Sequence, residues 1–86
     1  MASAGGDLVI LVFASRDSVH AAEAQALARE LGARFIDRLS GSLDDLLLVA
    51  TYNVVEPAAV VVLRAGQVEA RYGRLVTRAQ LERDLA

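Results

Sequence analysis

Two uninterrupted apolar runs of strand length constrain this chain more than any other feature. Residues 8–14 read LVILVFA and residues 58–63 read AAVVVL. A strand with one wet face alternates apolar and polar residues, whereas a continuous run requires cover on both faces. Two such strands within 86 residues therefore demand a sheet sandwiched by the rest of the chain. That length fits one domain, near the small end of what folds without disulfides or metals. Residues 7–86 are expected to form it, with residues 1–6, MASAGG, as a disordered segment in front. The chain is 55% hydrophobic with only two Phe and two Tyr, so many modest aliphatic contacts must carry the stability.

The segments between the runs supply the missing layers. After Ala14, Ser15-Arg16-Asp17 breaks the first strand, and Ser15 or Asp17 is placed to accept backbone N–H bonds at a helix start. From Ser18 to Leu31, Val19, Ala22, Ala26, Leu27 and Leu31 recur at helical spacing, and Gly32 is the stop. Residues 33–39, ARFIDRL, mix apolar and charged residues as a strand along a sheet edge does. Ser40-Gly41-Ser42 punctuates the chain, and Ser42 with Asp45 three positions on matches a relaxed capping box before Leu46-Leu47-Leu48-Val49. That second helix ends near Tyr52 and Asn53. The run 58–63 turns at Ala65-Gly66-Gln67 into residues 68–72, where Val68, Ala70 and Tyr72 alternate with Glu69 and Arg71. Gly73 between strand and helix suggests positive φ or close packing. Thr77, with Gln80 at the capping position, opens a last helix whose inward face is Leu81 and Leu85. The chain is thus an α/β protein of order β-α-β-α-β-β-α.

This order, together with several local segments, resembles the glutaredoxin-like core of the thioredoxin superfamily. In that family an apolar strand leads into a helix start carrying Cys-x-x-Cys; here VFAS leads through Arg16-Asp17 to Ser18-Val19-His20-Ala21. Tyr52-Asn53-Val54-Val55-Glu56-Pro57, then AAVVVL, Arg64-Ala65-Gly66-Gln67 and Gly73-Arg74-Leu75 parallel the family's C-terminal half. The resemblance implies a four-stranded mixed sheet in the order second, first, third, fourth strand, with helices on both faces. Pro57 arrives one residue early for the family's cis-proline, so Ala58 falls at that place and both a cis and a trans Pro57 remain open.

The chain has no cysteine, and neither a serine hydroxyl nor an alanine methyl replaces a thiolate at neutral pH, which excludes thiol–disulfide exchange. His20, the single histidine, has no nucleophile or acid partner beside it in sequence, and a serine at a helix start such as Ser18 is ordinarily a cap. Asp44 and Asp45 lie in a first helical turn, where negative charge is favourable without further function. No spaced cluster of ligating residues supports a metal site, and no glycine loop joins a strand to a helix to hold a phosphate. No cofactor is expected. A formal charge of −2 gives no basic surface for nucleic acid. All nine basic residues are arginines, ordinarily solvated or loosely paired at a surface. The N-terminus lacks a basic targeting segment and no apolar run spans a bilayer, so a cytoplasmic chain without membrane insertion is expected.

The expectation for function is a redox-inactive binding or assembly module whose partner is another protein or a peptide. Cysteine-free families of the superfamily, among them the KaiB clock proteins and hydrogenase-assembly accessory proteins, are similar in class. The family's groove would here combine Arg16, Ser18, Val19 and His20 with Val55, Glu56 and Pro57. A homodimer through an edge strand, residues 34–38 or 68–72, is the competing surface. Two other readings are a glutathione-binding, transferase-like enzyme using Ser18 or His20, and a structural subunit of a larger complex.

Overall fold

The computed structural model describes residues 8–39 and 42–85; residues 1–6 and Ser40-Gly41 lie outside them. Its elements run β1 (Leu8–Ala14), α1 (Ala21–Leu31), β2 (Arg34–Asp37), α2 (Leu43–Thr51), β3 (Ala58–Arg64), β4 (Gln67–Tyr72) and α3 (Arg78–Leu85). The sheet order is β2-β1-β3-β4, as expected. β1 is parallel to β2 and antiparallel to β3, and β3 is antiparallel to β4.

The two apolar runs are direct neighbours, paired from Leu8 against Arg64 to Ala14 against Ala58. Their alternate side chains divide between two cores, which is why neither run needs a polar position. On one face Val12, Ala14, Ala58, Val60 and Val62 meet Ala24, Leu27 and Ala28 of α1 and Leu81 of α3. On the other, Leu11, Phe13, Ile36, Ala59, Val61 and Leu63 meet Leu48, Val49 and Tyr52 from α2 and its end. The small residues Ala14, Ala24, Ala28 and Ala58 let α1 settle closely on the first face.

Caps fix the element ends. The backbone N–H groups of Gly32, at φ 64°, and Ala33 close α1 onto Arg29 O and Ala28 O, a glycine-terminated helix end. Ser42 Oγ accepts from Asp45 N at 3.4 Å and Thr77 Oγ1 from Gln80 N at 3.1 Å, so both expected caps form. Ala65 and Gly66 turn the hairpin with φ of 52° and 80°, positive at both central positions as a type I′ turn requires.

Three local expectations change. α1 begins at Ala21 and not at Ser18, because the serines on the approach spend their hydrogen bonds on a turn. β2 keeps only residues 34–37. The register shift between Val62 and Leu63 places Val68 opposite Leu63 while Ala70 stands opposite Val62. Since Val62 and Leu63 serve opposite cores, Val68 leaves the face shared by Ala70 and Tyr72.

Candidate functional site

The turn between β1 and α1 is built from two serines. Ser15 Oγ accepts from Asp17 N at 3.3 Å; Ser18 Oγ donates to Ser15 O at 2.9 Å and accepts from His20 N at 3.2 Å. Ser18 N also donates to Ser15 O, and Ala21 N to Ser18 O. The Ser18 hydroxyl is thus committed to backbone groups, not to the imidazole. His20 occupies the cap position of α1 at φ −88° and makes no side-chain cap, while its carbonyl accepts the helix's first bond, from Ala24 N. His20 therefore precedes the helix instead of lying in its first turn.

Across the top of the sheet, the loop from α2 to β3 is held by Arg71 of β4. Its guanidinium donates to Tyr52 O at 3.4 Å and Asn53 O at 3.0 Å, and to both Glu56 carboxylate oxygens at 3.1 and 2.9 Å. Those last two bonds, with smaller help from nearby backbone donors, lower the Glu56 pKa from its ordinary 4.5 to about 2. Asn53 at φ 51° takes the left-handed conformation that asparagine tolerates. No cis peptide bond occurs among the described residues, so Pro57 is trans and stands directly before β3.

Turn and loop meet at a cavity of about 280 Å³ lined by His20, Glu23, Pro57, Ala58, Gly73, Arg74 and Leu75. Val19 and Val55, each adjacent or close in sequence to a lining residue, are 91% and 71% exposed. The cavity thus combines apolar lining from Pro57, Ala58 and Leu75 with one charge of each sign, from Glu23 and Arg74.

Of the seven residues expected to form one groove, His20 and Pro57 share this cavity. Arg16 does not reach it: its Nε pairs with the buried Asp37 at 3.0 Å and its guanidinium lies 5.7 Å from the Phe35 ring centre. It lines a separate hollow of about 280 Å³ with Gln25, Ala28, Arg29, Ala33 and Phe35. Ser18 serves the turn and Glu56 is engaged by Arg71. Gly73 shows no positive φ; a Cβ there would stand 3.0 Å from Glu56 Oε2, so close packing is the constraint. Glu23, Gly73, Arg74 and Leu75 were missed as lining residues, although hairpin pairing carried past Val60 and Tyr72 brings residues 73–75 beside Pro57 and Ala58.

Among the described residues no three of His, Cys, Asp and Glu come together to hold a metal ion, and no helix is long and apolar enough to cross a membrane. No family model and no curated protein matches the chain.

Proposed function

We propose that this chain is a non-catalytic, thioredoxin-like binding module that holds a protein or an extended peptide at the cavity between the β1–α1 turn and the loop before β3. The observation that carries this reading is the convergence of His20, Pro57 and residues 73–75 on one open cavity, with the exposed Val19 and Val55 one and two residues in sequence from His20 and Pro57. The sheet order β2-β1-β3-β4 supports the family resemblance, and a cysteine-free helix approach leaves recognition as the use for that end of the sheet. A lining that joins Pro57, Ala58 and Leu75 to one acidic and one basic residue, Glu23 and Arg74, suits a peptide better than a small anion. The commitment of Ser18 Oγ to Ser15 O and His20 N weighs against the transferase alternative, which needs that hydroxyl or a partnered imidazole to activate a thiol.

Phage-displayed linear peptides selected on the wild-type chain test the reading. Selected peptides are expected to shift amide resonances of residues 20–23 and 73–75, and to lose binding to Val19→Asp/Val55→Asp, a pair of exposed positions whose change leaves the melting temperature intact. Saturable shifts at His20 on adding glutathione, with no peptide selected, would transfer the assignment to the transferase reading.

A further inference from the structure

We propose that the first core ends in a second binding site, one that takes an aliphatic carboxylate: a hydrocarbon chain with an anionic head. Where β1 begins and α1 ends, Leu8, Ile10, Leu31, Leu81 and Leu85 line an open hollow of about 320 Å³. Leu81 is buried, whereas the other four pack on the same core and stay half-buried. Cores ordinarily close with few voids larger than a water molecule. An aliphatic opening of this size, at the lower end of the range of small-molecule sites, is room for an apolar ligand. The hollow is distinct from the peptide cavity. Its strand residues Leu8 and Arg64 pair at one end of the β1–β3 ladder, and Ala58 of the peptide cavity pairs with Ala14 at the other.

Charge selects the head group. The rest of the lining is Arg64, Arg78 and Glu82, two guanidinium groups against one carboxylate. Arg78, Leu81, Glu82 and Leu85 recur at helical spacing, so a single face of α3 supplies one wall, apolar and charged together. Arg78 gives Glu82 Oε2 only its Nε, at 3.2 Å, and Arg64 gives Glu69 its Nε and one Nη, at 2.7 and 2.8 Å. Among the described residues the remaining N–H groups of both guanidinium groups have no acceptor. A carboxylate matches that planar fork, and a hydrocarbon chain matches the five aliphatic side chains. A small anion would leave the apolar lining unused, and an amphiphilic cation would meet guanidinium groups of its own sign.

Octanoate and decanoate, added to the whole chain below their micellar concentrations, are expected to shift the methyl resonances of Ile10, Leu31 and Leu85 saturably. Affinity should rise about threefold to fourfold for each added methylene. Decanol, with the same tail and no charge, should bind about tenfold more weakly than decanoate, and decyltrimethylammonium more weakly still. Arg78→Glu provides a readout that loss of structure would not. Arg78 is exposed and its one ion pair is with Glu82 on the same helix, so circular dichroism and melting temperature should change little. The variant is expected to reverse the order of the two charged ligands, preferring decyltrimethylammonium to decanoate. Arg78→Gln, which should narrow the preference without reversing it, gives the same reading if Arg78→Glu does not fold. Three results each overturn the proposal: no saturable methyl shift with the carboxylates, decanol binding as tightly as decanoate, or folded Arg78 variants that keep the wild-type preference.

Discussion

Ala65 holds φ at 52° in the first position of the β3–β4 turn, where an L-residue with a Cβ is strained and asparagine is at ease. Ala65→Asn is expected to stabilise the protein by about 0.5–1 kcal/mol, read as a rise in melting temperature of about 2–8 °C; an unchanged or lower value would contradict the turn geometry. Glu56 gives a pH-dependent counterpart. Its pKa is depressed in the folded chain to about 2, chiefly by the Arg71 hydrogen bonds, so its contribution is complete above the ordinary carboxylate value of 4.5 and disappears as pH falls from there through about 2. Carboxyl resonances followed through an acid titration should place Glu56 lowest among the well-resolved glutamates, and Arg71→Gln should return it towards 4.5. Gly73→Val presses on the same carboxylate and should raise the Glu56 pKa in part. At this scale the sequence was legible wherever one residue answers its neighbouring backbone, by a side-chain oxygen at Ser42 and Thr77 and by a left-handed backbone at Gly32. It was opaque at Arg16 and Arg71, because a long arginine chooses among partners brought close only by the sheet.

Among the elements, α2 has an unusual exposure. Its sequence LDDLLLVAT has no buried residue, and Leu43 and Leu47 are 70% and 56% exposed, whereas Leu48 and Val49 pack on the second core. The helix is held at its start by the Ser42 cap and by Asp45, which accepts from Arg34 at 3.0 Å and from Asp37 N at 3.4 Å. Burial, not hydrophobicity, sets the cost of a substitution. Leu47→Gln is therefore expected to change stability by about 0.5 kcal/mol or less, while Leu48→Ala, which strips packing from the sheet, costs about 1–3 kcal/mol. Chemical denaturation of the two variants measures the contrast, and equal losses would mean that α2 sits differently on the sheet. A run of consecutive apolar residues cannot announce this division, because helical period needs polar positions to mark the wet side. In β1 and β3 the same lack of alternation was informative, since strands buried on both faces have no wet side to mark. The bulge that turns Val68 away from Ala70 was hidden for another reason: one extra residue in a hairpin leaves the alternation of the sequence untouched and changes only its pairing.

For the molecule as a whole, the decisive property is that a single sheet divides the core in two. The first core takes two helices and the second takes only α2, so the second has fewer neighbours available to close over a lost side chain. Phe13 is its largest fully buried side chain and stands opposite Ala59 across the β1–β3 ladder. Truncating a buried phenylalanine costs about 3–5 kcal/mol, and a domain of this size has on the order of 4–13 kcal/mol in total, so Phe13→Ala should leave a folded protein with little reserve. Because residues directly opposite on neighbouring strands share a face, Ala59→Phe places the missing ring in the adjoining part of the same core. The double variant Phe13→Ala/Ala59→Phe is expected to recover about 1 kcal/mol or more of the loss, a coupling measurable by a double-mutant cycle in urea. Ala59→Phe alone should destabilise, since it adds a ring to a core already filled by the first one. A double variant no more stable than the sum of the two single losses would mean that Phe13 and Ala59 do not share this packing, and would reopen the pairing of the two apolar runs on which the sheet is built.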